Sequence, residues 1–444
     1  MHMSKGFAKT YFRLTLPAII AQLVVFVVDN LNVAILGTFS DKAISGFTIA
    51  NQSFDIYSML ALGLSGGFHV YISQLYGKKD RQRYNQVLRL GLGVTFAVGL
   101  LYSLGMCLFA EPFIRMFIKD TEMIAYGVTY LKIYAWSHLF YGVNLMLSGT
   151  YSIIGQAVVA MQSGTINCIV SLFCSYVFVY GKFGIAPMGV SGAALAILCG
   201  RIAEFLYLFV RMLQKGSDFS LFEKLPKLEG DVMARVMRTA YPLIMNETCY
   251  ALAFLIIVKN YSVLNERYLA CYTVTNNCNK LFFAAAYGLS PAVGALIGRE
   301  LGNHNYDKAR ENGNDILKMV FWIHIFFGAL LIALSGVIPS FFSLEGDIAR
   351  VCTQMLILKA IFGLFGGYGN AFYNILRIGG ASKFVFFFDG VFSLICPMMV
   401  SFVVCRLIPF PFVWAFGIVD AMNIVKSGIG LYLYKKEVWL NQLS

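Results

Sequence analysis

Hydrophobic residues in this chain fall in long blocks, broken by short polar stretches, rather than alternating within each element. Crossing the hydrocarbon of a bilayer takes about 20 apolar residues in helical form. Blocks of that length lie near 14–37, 46–74, 88–110, 124–153, 161–181 and 189–212. A second set lies near 237–258, 269–298, 315–341, 351–377, 384–405 and 412–434. The longest polar interval, Gln214 to Asp231, divides the two sets. The pattern predicts an all-α integral membrane protein of twelve transmembrane helices, in two pseudo-symmetric six-helix lobes around a central cavity. The lobes are residues 1–213 and 232–444, joined by a cytoplasmic linker at 214–231.

The two sets are a duplication at a constant offset of 225 residues. Arg13 and Pro17 match Arg238 and Pro242, and Asn51 matches Asn276. Ala61, Gly63, Leu64 and Ser65 recur as Ala286, Gly288, Leu289 and Ser290. Gly77, Gly142 and Gly155 match Gly302, Gly367 and Gly380, and Leu206-Tyr207-Leu208 recurs as Leu431-Tyr432-Leu433. One register kept from end to end marks a repeat. Each half has an even number of spans, so rotation about the membrane normal relates them, and such repeats place a substrate path at their interface.

Composition narrows the class. The 444 residues are 58% hydrophobic and 13% charged, with a mean hydropathy of +0.69, against about a quarter charged in soluble domains. The net charge of +12 does not mark a nucleic-acid binder, because the basic residues sit between apolar blocks. Segments on the side of the amino terminus carry 21 Lys and Arg, and those on the other side 8. The positive-inside rule therefore puts both termini in the cytoplasm. The ten cysteines include no C-x-x-C pair, and buried thiols are expected. No Walker A loop is present, so ATP is not the expected energy source. The start Met1-His2-Met3 reads as extra residues before Met3, and Leu14 to Val28 as the first span rather than a cleaved signal peptide.

Ionisable groups inside a span cost at least about 2.5–3.5 kcal/mol and so need a reason. Asp29 and Asn32, three residues apart on one helix face, are the first candidates for cation coupling. Glu247, beside Asn246 and five residues after Pro242, is the second. Asp389 is a third, with Lys383 close enough in sequence to bridge it. Asp55 and Lys280 are repeat mates that could pair across the lobes in one state. Gln52, Asn276, Tyr134, Tyr141, Tyr287 and Tyr368 complete a candidate cavity lining, its aromatic rings suited to organic cations. Asp29, Asp55, Glu247 and Asp389 outnumber Lys280, which makes that cavity acidic or neutral. Arg201 and its mate Lys426, with Glu204 one turn after Arg201, read as snorkelling groups at helix ends. His69, His138 and His324 share no spacing and read as packing or cavity-lining residues rather than metal ligands.

Several motifs carry a family resemblance. The stretch Val28-Asp29-Asn30-Leu31, continuing through Leu36-Gly37 to Ala43-Ile44-Ser45-Gly46, resembles the first-span signature of the multidrug and toxic compound extrusion (MATE) family, prokaryotic type. Leu75-Tyr76-Gly77-Lys78-Lys79-Asp80 with its mate Leu301-Gly302-Asn303, Gly189-Val190-Ser191-Gly192-Ala193-Ala194, and Ile375-Leu376-Arg377-Ile378-Gly379-Gly380 are similar to further family motifs, in the same order.

The resemblance implies a V-shaped pair of lobes that exports cationic or amphipathic compounds in exchange for H⁺ or Na⁺. It puts Asp29 on the family's first-span acidic site and Glu247 on its seventh-span Glu. The fifth-span Asn and Asp or Asn positions appear as Ser171 and Ser175. The tenth-span acidic position falls in Phe365-Gly366-Gly367-Tyr368, which has no carboxylate. Sodium needs several oxygen ligands, so H⁺ is the favoured coupling ion, and no cofactor or metal is expected. The implied partners are a small cationic or amphipathic substrate and membrane lipid, with no nucleic acid, for a monomer in the plasma membrane. A lipid-linked oligosaccharide flippase of the same superfamily is the alternative, expected to carry more cavity Arg and often extra spans. A major-facilitator carrier fits less well, since Asp80 follows Gly77 by three residues rather than four. An intramembrane enzyme has no paired catalytic carboxylates or Ser/His spacing behind it.

Overall fold

The computed structural model describes residues 6–17, 19–20, 24, 41–117, 120–214, 230–282, 289–342 and 344–441. These are helical nearly throughout. We number the helices by span: α1 (7–17 in its described part), α2 (Asp41–Gly77), α3 (Arg81–Leu108), α4 (Thr121–Ile153), α5 (Ala157–Tyr180), α6 (Gly189–Leu213) and α7 (Gly230–Leu264). The second set continues with α8 (Leu269–Phe282, helical again over 289–302), α9 (Tyr306–Leu334), α10 (Gly346–Ile378), α11 (Ser382–Leu407) and α12 (Phe412–Lys435). Among the described residues, nine helices are long and apolar enough to cross a membrane. The protein is an all-α, twelve-helix membrane protein.

Many helices outrun the apolar blocks, because intrahelical hydrogen bonding carries on past the hydrocarbon until a cap or turn stops it. Asp120 caps α4 by accepting from the amides of Glu122 (2.9 Å) and Met123 (3.0 Å). Gly181, at a φ of 68°, ends α5 in the left-handed conformation that favours glycine. Large apolar side chains such as Leu101, Leu108, Trp322, Phe326 and Trp414 stand exposed on helix surfaces. In a bilayer these are the lipid-facing positions.

By contact, Ile20–Val236 form one compact unit, and the amino-terminal residues join Met237–Ser444 in the other. In the second unit Phe7, Tyr11 and Leu14 pack into a core with Leu243, Ile375, Tyr434 and Trp439. Trp439 lies flat on the Tyr434 ring, with centroids 5.3 Å apart, and its indole donates to the Tyr434 carbonyl (3.2 Å). Its backbone crosses Gly379 so closely that a Cβ there would collide. Glu437 then closes on Arg310 through two hydrogen bonds, 2.7 and 2.9 Å. The guanidinium beside it holds the Glu437 carboxyl below the usual carboxylate range.

The duplication extends to backbone detail. Lys79 and His304, 225 positions apart, both adopt a φ of 59°. The next residue in each half caps the following helix: Asp80 accepts from the Arg83 amide (3.0 Å), and Asn305 from the Lys308 amide (3.4 Å). A side chain at Gly142 would meet the Tyr57 hydroxyl, and one at its mate Gly367 would meet the His324 ring. The glycines are kept because each lets a polar ring from another helix reach the α4 or α10 backbone.

Candidate cation and substrate sites

In the second unit, α7, α10, α11 and α12 bring six polar side chains together. Asn246 and Glu247 lie midway along α7. Asp389 sits in a π-turn, Phe386–Val391, at the start of α11, a local widening often found at functional sites. Gly390 lets α7 approach: a Cβ there would lie 3.0 Å from the Asn246 amide oxygen. The Asn246 amide nitrogen donates to Asp389 Oδ2 (2.9 Å), and Lys426 of α12 forms an ion pair with Asp389 Oδ1. Asn246 is fully buried and Asp389 is 7% exposed. Glu247 accepts from the Tyr373 hydroxyl (2.6 Å), which accepts from Arg377 Nη1 (3.0 Å). Arg377, Tyr373 and Glu247 thus form one hydrogen-bonded line across α10 and α7.

A second buried pair links Lys359 of α10 to Asp420 of α12 at 2.7 Å. Each carboxylate has an internal cation, as desolvated charges require.

The first unit holds a different arrangement. Glu204 of α6, 7% exposed, receives three donors on one oxygen: Asn144 of α4 (3.1 Å), Asn167 of α5 (3.0 Å) and Arg201 (3.4 Å). The Arg201 guanidinium lies 4.8 Å from the Tyr141 ring and 5.7 Å from Phe54. His138 is enclosed by Tyr57, Tyr102 and Tyr134, with ring centroids 5.1–5.5 Å away. Its Nδ1 faces the Ala135 carbonyl (2.8 Å), and His324 likewise faces the Val320 carbonyl at 2.8 Å. Each ring also packs against a neighbouring helix, His138 on Tyr57 and Tyr102 and His324 on Gly367. His69 of α2 faces the Met146 carbonyl of α4 at 3.1 Å and so links two helices.

Of the residues expected to act, the structure gathers Asn246, Glu247 and Asp389 into one cluster, and Tyr134 and Tyr141 into the aromatic group around His138. Ser171 and Ser175 are buried on α5. Gln52 is half-buried and Asp55 exposed on α2; Asn276 is half-buried and Lys280 exposed on α8; Tyr368 is half-buried on α10. Asp29, Asn32 and Tyr287 lie outside the described residues.

Two expectations need correction. Asp389 is paired by Lys426 and Asn246, not by Lys383, which is exposed one turn before the π-turn. Arg201 and Lys426 do not snorkel from helix ends: both stand well inside their helices, with side chains 21% and 14% exposed, and hold buried carboxylates. Arg377 is also buried within α10, so two cations balance Glu247 and Asp389 in this cluster. Arg201, Glu204, Asn144, Asn167, Tyr373, Arg377 and Lys426 were missed as site residues. The one available signal was the Arg201–Glu204 spacing of three within an apolar helix.

Comparison with known proteins gives a consistent picture. A model of the MatE family matches residues 17–180 and 242–403, start points 225 residues apart. The chain is 20% identical over 398 residues to a protein of Thermotoga maritima described as "Probable multidrug resistance protein NorM", covering 89% of this chain and 82% of that one. It is 24% identical over 378 residues to "Multidrug and toxin extrusion protein 1" of Oryctolagus cuniculus, covering 84% and 65%. A solved transporter of the MOP superfamily from Pyrococcus furiosus superposes with a TM-score of 0.88, at 15% identity and 99% coverage of both chains; its description attributes to it a binding pocket of reverse polarity.

Proposed function

Since the chain belongs to the MatE family of membrane transporters through both of its halves, we propose that it is a secondary antiporter that exports cationic or amphipathic organic compounds in exchange for protons. The observation that carries this reading is Glu247, a carboxyl in the middle of a membrane helix, hydrogen-bonded to Tyr373 and adjacent to the Asn246–Asp389–Lys426 cluster. Such a group has no use in a passive wall, where it costs free energy. Asp29, which the family resemblance puts on the first-span acidic site, is the candidate coupling carboxyl of the amino-terminal half.

Protons are preferred over sodium because a carboxyl can hold a proton as a covalent O–H, whereas sodium needs a shell of several oxygens. The family's fifth-span amide and acid positions are the hydroxyls Ser171 and Ser175 here, which leaves Asp29 with few strong ligands. On this reading the protein works as a monomer in the plasma membrane, with both termini in the cytoplasm. The buried cations Arg201, Arg377 and Lys426 favour the competing reading, a lipid-linked oligosaccharide flippase.

The test is purified protein in liposomes with an imposed pH gradient and no sodium, then the reverse. Export of a cationic dye that follows the pH gradient, and is abolished in a folded Asp29→Asn variant, is the expected result. Movement that responds only to sodium, or full export by Asp29→Asn, would overturn the assignment of the coupling ion or of Asp29. Preferential movement of an anionic, lipid-linked sugar would favour the flippase.

A further inference from the structure

Lys426 and Arg201 are repeat mates, yet they hold their carboxylates in different ways. Arg201 and Glu204 belong to one helix, and two asparagines close the same Glu204 oxygen. Lys426 instead reaches from α12 to Asp389 on α11, its stem passing Gly369, the mate of Asn144, with Cδ 3.5 Å from where a Cβ would stand. The Lys426 ammonium faces one carboxylate and two aromatic rings, Phe388 at 5.7 Å and Tyr250 at 6.0 Å. A carboxylate with aromatic faces is the arrangement that recognises organic ammonium groups. Asn246 Oδ1, buried and with no hydrogen-bond partner among the described residues, lies against Gly390. Glu247, Tyr373 and Arg377 complete the charged surroundings. A lysine is also the cation best suited to leave, being a point charge on a flexible four-carbon stem.

We propose that Lys426 is a tethered cation occupying the organic-ammonium position of the carboxy-terminal half, and that a cationic substrate binds there by displacing it. The identity of the displacing ligand rests on the exporter reading above; the cage itself does not. Lys426 is then a specificity-determining residue: it sets a threshold that only a cation able to replace it on Asp389 and between Phe388 and Tyr250 passes.

The experiment is equilibrium binding of tetraphenylphosphonium, a permanent cation, and of the neutral triphenylphosphine oxide to the full chain in lipid nanodiscs. If Lys426 vacates the cage about a tenth of the time, Lys426→Gln should bind tetraphenylphosphonium roughly tenfold more tightly than wild type. Lys426→Arg should show no such gain, the Lys426→Gln, Asp389→Asn double variant should lose it, and the neutral compound should be unaffected. Because Lys426→Gln strips Asp389 of its cation, folding is followed in parallel on Lys426→Ala. There n-butylammonium should raise the melting temperature saturably, at roughly tenfold lower concentration than for wild type and without doing so for Lys426→Ala, Asp389→Asn. Equal tetraphenylphosphonium affinity in wild type and Lys426→Gln, or equal stabilisation of wild type and Lys426→Ala by butylammonium, would overturn the proposal. Butylammonium rescue of Lys426→Ala, with no organic cation moved by wild type in liposomes, would remove the exporter reading and leave the cage standing.

Discussion

The two halves share their framework and differ in their polar chemistry. Turns at Lys79 and His304, caps at Asp80 and Asn305, and close approaches at Gly142 and Gly367 recur position by position. Positions 201 and 426 both keep a positive charge. The carboxylates do not correspond: Glu204 aligns with Ile429, and Asp389 with Gly164. A framework residue is constrained by backbone geometry, which duplication copies whole. A buried charge is constrained only to have some partner, so the partner can come from another helix. The amino-terminal arrangement gathers three donors on one oxygen of a carboxylate in the same helix as its cation; the carboxy-terminal one is a longer reach between two helices.

The sharpest way to break that contrast is to remove each carboxylate charge in turn. Glu204→Gln removes the buried carboxylate that Asn144, Asn167 and Arg201 share, a loss of about 3–5 kcal/mol, read as thermal unfolding in detergent. Asp389→Asn should cost less than half as much, because the lysine stem can carry its charge elsewhere. Equal losses would mean that the two arrangements are energetically alike. A smaller effect probes the shared framework. Gly142→Ala and Gly367→Ala each force a polar ring away and should cost about 1–3 kcal/mol, while Gly93→Ala, which meets nothing within 4 Å, should cost little. A loss at only one of the two mates would limit how deep the repeat runs.

The smallest effect concerns Glu437. Its carboxyl is held below the ordinary value of 4.5 by Arg310. The stabilisation from this pair is therefore present above about pH 4.5 and is lost as the pH falls through the lower folded value. Both groups are largely exposed, so Glu437→Gln should lower the melting temperature at neutral pH by about 2 °C at most. The difference from wild type should vanish in acid.

Span positions and the 225-residue repeat could be read from the chain because both rest on features summed over many residues. Site partners could not. Lys383 is six residues from Asp389 and Lys426 is 37, yet the distant lysine is the partner, because the π-turn aims Asp389 at α12. Arg377 stands at the very end of its apolar block, where the sequence does not show whether it is buried; the helix continues to Ile378 and buries it. Asn144 and Asn167 stand among apolar residues in helices that face lipid, protein or cavity by rotation alone, and one sequence does not report rotation. Glu247 and Asp389 were visible because a lone carboxyl in an apolar block is conspicuous whichever way it points.

The core that joins Phe7, Tyr11 and Leu14 to Tyr434 and Trp439 has a consequence for biogenesis. Some 420 residues separate its two ends. At about 5–20 residues per second, the early residues leave the ribosome on the order of half a minute before their partners exist. Through that interval the amino-terminal segment has an apolar face and, until Leu243 and Leu289 are made, nothing native to place it on; even then its core is incomplete. Insertion machinery or lipid must shelter it, and the carboxy-terminal half cannot close its own core during translation until the chain has grown through Trp439.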